Sequence, residues 1–258
     1  NYGSFAEESG LAEGSAITMA MKEKAGYLDE FNLRNLIKSE NRNDYDSDMA
    51  FANFREVTAG SILPGRLYRS SSPIEGDARA EYAYALMEDA GIRTVINLSD
   101  SEESAKDQMG DAPAYKEIAE NGNAIFLDMT IEFFTPESTE KIAEAIRFII
   151  SHDAPYLIHC IEGKDRSGLM CAFIEALCGA SIDEIISDYM KSFTDYYGVQ
   201  PGTKQYETLS KTITDFFQTM NGRPFPWNSI GRATEAYAIN TLGLSEDEIM
   251  LLRTKLTK

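Results

Sequence analysis

At 258 residues the chain can bury a full core without disulfides or metals, and 43% hydrophobic with 26% charged residues is ordinary globular composition. Its 24 Lys+Arg against 42 Asp+Glu leave a formal charge of −18, a field that repels polyanions and argues against nonspecific nucleic-acid binding or docking on an anionic membrane. Any anionic ligand must therefore be captured locally. No window approaches the roughly 18 uninterrupted apolar residues of a membrane-spanning helix, so no stable membrane insertion is expected. Because the chain starts at Asn1 rather than Met, a cytoplasmic protein and an exported one trimmed of its signal both fit. Cys160, Cys171 and Cys178 are too few for a disulfide framework and lack metal-ligand spacing, so no bound metal is predicted.

Residues 1–48 read as an N-terminal extension: Gly, Ser and Glu around an amphipathic stretch near Ala20 to Ile37, closed by the polar loop Asn41 to Asp48. Residues 49–258 read as one domain. A short strand at Arg66 to Arg69 precedes an amphipathic helix from Asp77 to Ala90, closed by Gly91 in the position that favours a left-handed conformation. A buried strand follows at Arg93 to Leu98, and a third at Ala124 to Leu127. Thr135 and Pro136 supply an N-cap and a first-turn proline for a helix running to about Ile150, and Pro155 to His159 is a fourth strand. Strands alternating with helices predict an α/β fold, a mostly parallel central sheet flanked by helices. From Ser181 to Lys258 the pattern is helical, with capping boxes at Ser181/Glu184 and Ser245/Glu248, and predicts a helical cap. Cys171 and Cys178, seven apart in an apolar helix, read as small core residues.

The segment His159 to Gly168, HCIEGKDRSG, leaves a buried strand, makes a short loop and enters an apolar helix. Such a loop curls so that successive backbone N–H groups point inward, and the helix N-terminus adds partial positive charge; this is an anion site suited to phosphate. Its residues Ile161, Glu162, Gly163, Lys164, Asp165 and Arg166 would surround the phosphate. Cys160 at its base would be held as a thiolate nucleophile by those N–H dipoles and by Arg166, whose planar fork grips two phosphoryl oxygens.

The string HCxxGxxRS resembles the signature of the protein tyrosine phosphatase superfamily, Cys-x5-Arg followed by Ser or Thr, with Cys160, Arg166 and Ser167 matching position by position. The GKDR string is similar to that of a bacterial branch of tyrosine and dual-specificity phosphatases, some of which also act on phosphoinositides. The blocks Asn53 to Arg55, Gly65 to Ser70 and Gly91 to Leu98 resemble the same branch, so the likeness covers about residues 51 to 197. The resemblance implies a cysteine-dependent phosphomonoester hydrolase without cofactor, acting on a phosphorylated protein or a small phosphorylated substrate. It also implies that His159 orders the loop and that Ser167 assists departure of the sulfur. Two positions depart from the pattern. Asn97 stands where the branch usually has Asp, leaving that acid's role lost or passed to Asp100, and Glu162 adds negative charge inside the loop.

The superfamily places a leaving-group acid on a mobile loop upstream of the signature, and Asp128, 32 residues before Cys160, is the candidate. Glu132 in the same loop and Asp165 in the signature are alternatives. Lys164 either contacts an extra phosphate or strengthens the local field, and Arg55, Arg66 and Arg69 read as surface ion pairs or as reaching the pocket mouth. The tyrosines between Tyr189 and Tyr197 either line a phenyl slot or fill core, and His152 has no role. Competing readings are an inositol phosphate or phosphoinositide phosphatase, a sulfur transferase or arsenate reductase with a similar loop, and a catalytically silent phosphate-binding module.

Overall fold

The computed structural model describes residues 36–258, with residues 10, 12, 14–18, 20, 31 and 33 of the N-terminal segment. The amphipathic stretch expected near Ala20 to Ile37 thus lies almost wholly outside the described residues. The chain divides into two compact units, Asn1–Leu36 and Ile37–Lys258. Residues 37–48, read above as extension, belong to the second unit. Lys38 pairs with Glu162, Glu40 with Arg79, and Ser47 caps the first short helix of the domain.

That helix, α1 (Asp48–Phe51), leads into strand β1 (Arg55–Glu56) and β2 (Leu67–Ser70). After α2 (Ala80–Asp89) comes β3 (Thr94–Asn97), then α3 (Glu102–Gln108), α4 (Pro113–Glu120) and β4 (Ala124–Phe126). Helix α5 (Pro136–Ser151) connects to β5 (Tyr156–His159), which runs through the signature loop into α6 (Arg166–Leu177). Four further helices follow: α7 (Ile182–Tyr197), α8 (Lys204–Asn221), α9 (Ile230–Asn240) and α10 (Glu246–Thr257). The sheet order is β1-β2-β5-β3-β4, parallel except for the β1/β2 pair. The α/β class, the strands and the helical C-terminal part stand as expected. Thr135 caps α5, both capping boxes form, and Gly91 closes α2 at φ 63°. Periodicity did not reveal β1, α3 or α4, which are short elements with mixed faces.

Tyr68, Val95 and Leu157 project from one sheet face into a core completed by Ala83 and Met87 of α2 and Tyr115 of α4. The opposite face is covered by α6, against which α7 and α9 pack. Every α6 residue after Arg166 is buried, so this helix is apolar on all sides because protein surrounds it. Burying a side chain such as Phe173 contributes about 2 kcal/mol, and together these contacts fix the axis on which the signature loop ends. The parallel strands β2, β5, β3 and β4 bring their C-terminal ends to one edge. That edge gathers Ser70 to Ser72, Cys160, Asn97 to Asp100 and Leu127 to Asp128, the place where open α/β sheets bind ligands.

Candidate active site

The loop from Cys160 to Arg166 is held from outside by its carbonyls. Ile161 O accepts from the Ser72 amide at 3.1 Å, and Glu162 O accepts from Asn53 Nδ2 at 2.9 Å and the Tyr196 hydroxyl at 3.0 Å. Arg69 Nη2 donates to Gly163 O at 2.9 Å and to Lys164 O at 3.1 Å. With these four carbonyls held from outside, the amides of residues 162–165, on the same peptide planes, face the other way. None of them donates to another backbone group among the described residues. Turning peptide planes in this way requires a left-handed residue, and Gly163 has φ +67°. A Cβ there would lie 2.3 Å from the Ser70 carbonyl, so β2 leaves space for glycine alone.

Cys160 sits at the base of this cradle, 3% exposed, with its Sγ 3.4 Å from the Ser167 hydroxyl. Ser167 is buried in the first turn of α6. Arg166 opens the same helix, and its Nη1 donates to Met129 O at 2.9 Å, tying the signature to the loop after β4. Asp128 precedes Met129 on that loop, exposed and at φ 41°, and its carbonyl accepts from Lys141 Nζ at 2.8 Å. Glu132 is also exposed on this loop. Asp165 lies on the opposite flank, its pKa raised by burial against the lowering influence of Lys164. His159 ends β5, fully buried, with Nε2 2.8 Å from the Tyr115 hydroxyl.

Glu162 does not stand as an isolated negative charge. Lys38 Nζ lies 2.7 Å from one of its oxygens and Lys164 Nζ 3.2 Å from the other, and these cations outweigh burial to lower its pKa. Lys164 also lies 3.6 Å from Asp165, donates to the Tyr197 hydroxyl at 3.1 Å and sits over the Phe193 and Tyr197 rings. Burial lowers the Lys164 pKa, but Asp165, Tyr197 and Glu162 raise it further, so the ammonium is firmly charged. Ile161 is 42% exposed at the loop's rim.

Arg55 and Arg69 correct the sequence reading. Neither is a surface cation or a residue of the pocket mouth. Both lie beneath the loop on Asp188 of α7, Arg55 Nε at 2.9 Å and Arg69 Nη1 at 2.5 Å. Burial raises the Asp188 pKa, but the two guanidinium groups more than reverse this and hold it below the usual range. Ser192 links the pair to Asn53, donating to Asn53 Oδ1 at 3.0 Å. Tyr189 and Tyr196 are buried, Tyr196 as a clamp on the loop rather than as the wall of a slot. Sequence reasoning assigned no role to Asn53, Asp188, Tyr115 or Lys38. One signal was present: Arg69 lies in the short strand LYRS, and a charge within a buried strand requires a buried partner.

A hydrolase-type signature loop at the carboxyl edge of a mostly parallel sheet defines the class, and the comparisons agree with it. Residues 49–258 match the model of the tyrosine phosphatase family, and the chain belongs to that family. Over 185 residues the chain is 25% identical to the triple specificity protein phosphatase PtpB of Mycobacterium tuberculosis; the match takes in 54% of this chain and 66% of that protein's length. Among solved structures, the core catalytic domain of the PP-IP phosphatase SIW14 from S. cerevisiae in complex with citrate is similar over 68% of this chain and 96% of its own. That similarity has a TM-score of 0.38 and 19% identity. No helix among the described residues is long and apolar enough to cross a membrane.

Proposed function

We propose that the protein hydrolyses phosphomonoesters through a phosphocysteine intermediate, with a phosphorylated protein, at tyrosine or with dual specificity, as substrate. The observation that supports this reading is the loop itself: its carbonyls are held from outside by Ser72, Asn53, Tyr196 and Arg69, which turns the amides that follow Cys160 the other way, free of backbone partners among the described residues. The phosphate's equatorial oxygens accept from those amides and from Arg166, and the sulfur attacks phosphorus in line. The leaving oxygen takes a proton from Asp128, which shares its loop with the carbonyl that Arg166 contacts. Water then attacks the phosphocysteine, releasing inorganic phosphate, while the Ser167 hydroxyl stabilises the departing thiolate. Asp165 is a second candidate acid, favoured by its raised pKa.

Phosphate release by the wild type and Cys160→Ser, with chelator present, on an aryl phosphate, a phosphotyrosine peptide, a phosphoserine peptide and an inositol polyphosphate tests the reading. Turnover by the wild type alone supports it, and the order of substrates separates protein from inositol phosphatase. Phosphate binding without turnover by either protein supports the silent binding module instead. Asp128→Asn should slow poor leaving groups by about 100-fold and good ones little. The same selectivity in Asp165→Asn, with none in Asp128→Asn, transfers the role.

A further inference from the structure

Asn97, one of the two positions at which this chain departs from the family-like pattern, is fully buried at the end of β3. Its Oδ1 accepts from the Ser99 amide at 2.9 Å, the Asp100 amide at 3.1 Å and the Ser99 hydroxyl at 3.1 Å. Backbone N–H groups can only donate, so these contacts settle which end of the side-chain amide is oxygen. Nδ2 therefore points the other way. It donates to Asp100 Oδ2 at 2.9 Å and to the Tyr115 hydroxyl at 3.2 Å. Asp100 is itself anchored by the Ser99 hydroxyl at 3.0 Å and Gln108 Nε2 at 3.1 Å.

A definite direction follows along the chain of groups. The amide nitrogen cannot accept, so Tyr115 must accept from it, and the tyrosine's own proton is free to go to His159 Nε2, 2.8 Å away. Nε2 then carries a lone pair, and the proton of the neutral ring resides on Nδ1. Burial lowers the His159 pKa to about 4, against the raising influence of Asp100 and the Cys160 backbone, so the ring is neutral at pH 7. Nδ1 is buried, with no hydrogen-bond partner among the described residues. The Cys160 backbone acts on the ring only as an influence that raises its pKa.

We propose that Asn97 is a positioning residue: heading the chain from Asn97 through Tyr115 to His159, it holds the ring next to the nucleophile in the Nδ1–H tautomer. The inference rests on Cys160 being that nucleophile. An aspartate at this position would do the opposite. A carboxylate only accepts, so the Tyr115 proton would turn toward it, Nε2 would become the donor to Tyr115, and Nδ1 would lose its hydrogen. The introduced charge would also face the Asp100 carboxylate. The Asn97/Asp100 pair thus keeps a carboxylate nearby, one hydrogen bond further from the histidine, while reversing the direction of donation.

The chain has two histidines, so long-range proton–nitrogen correlation spectra of the nitrogen-15-labelled protein at pH 7 resolve both rings, and His152→Gln assigns them. The expected wild-type spectrum shows His159 protonated at Nδ1. Asn97→Asp should move that proton to Nε2, and should slow alkylation of Cys160 by iodoacetate and kcat/KM on an aryl phosphate by about tenfold. Tyr115→Phe should also lower both rates, because Nε2 loses its donor. An Nε2-protonated ring in the wild type overturns the proposal and needs no variant to detect. Unchanged tautomer and alkylation rate in Asn97→Asp also overturn it. Absence of turnover by the wild type on every phosphate ester would instead count against the phosphatase reading, while the tautomer spectra would still decide the direction of this chain.

Discussion

His159 is a neutral ring in a dry site, and its stability signature has a definite sign. The unfolded chain's histidine titrates near the ordinary 6.5, the folded one at about 4. The stability it contributes is complete above pH 6.5 and is lost as pH falls toward 4, by about 3 kcal/mol. Urea unfolding of the wild type and His159→Gln at pH 7 and pH 4.5 should therefore show the gap between them shrinking at the lower pH. Glu175 of α6 behaves with the reverse slope. Fully buried and with both carboxylate oxygens unpartnered, it is pushed well above the carboxylate range by burial and by Asp188. Its raised value contributes stability below pH 4.5 that declines as pH rises. Glu175→Gln should then gain on the wild type between pH 5 and pH 8, by up to about 1.4 kcal/mol per unit until the folded carboxyl itself ionises. Melting temperatures at the two pH values read this directly.

At the scale of elements, the signature loop is a short span whose shape is imposed by others. α1's trailing Asn53, β2's Arg69 and α7's Asp188 and Tyr196 all act on its outer side. Arg69→Met removes donors from two loop carbonyls and leaves Asp188 with one cation in a buried site, so a loss of about 3–5 kcal/mol is expected in chemical denaturation. The loop from Cys160 to Arg166, the strand before it and the helix after it were legible because they are contiguous and each element matches a local pattern. Thr135, Ser181 and Ser245 were legible as caps for the same reason. The bracing was not, because Asn53, Arg69 and Asp188 are far apart in sequence and meet only when β2 pairs with β5 and α7 packs on α6. Arg55 and Arg69 look like any surface arginines until burial is known. Glu162 illustrates the same limit, since its neutralisation by Lys38 depends on a segment that sequence reasoning placed outside the domain.

For the whole molecule, a charge of −18 surrounds a site that binds a dianion. On the proposed mechanism capture is short-ranged, through the loop amides and Arg166, while the approach of a highly charged substrate is opposed. Raising ionic strength from about 20 to 300 mM shortens the Debye length from roughly 20 Å to about 6 Å. KM for an inositol polyphosphate should fall over that range if it is a substrate at all, whereas KM for an uncharged aryl group's phosphate should change much less. Steady-state kinetics at matched pH decide this, and an equal response would mean that only the local field of the site acts.

The sheet order has a consequence for how the protein is made. β2 and β3 are both synthesised before β5, yet they are not neighbours; the gap between them belongs to β5, which pairs Tyr156 with Leu67 on one side and with Thr94 on the other. A nascent chain that has not yet delivered residue 159 carries the β1/β2 and β3/β4 pairs with open inner edges and no strand to join them. Insertion of β5 closes both edges at once, and the same residues carry Cys160 to the sheet's carboxyl edge. A chain arrested before this step is exposed to edge pairing with other chains, whereas a chain that completes it acquires the central strand and the base of the phosphate cradle together.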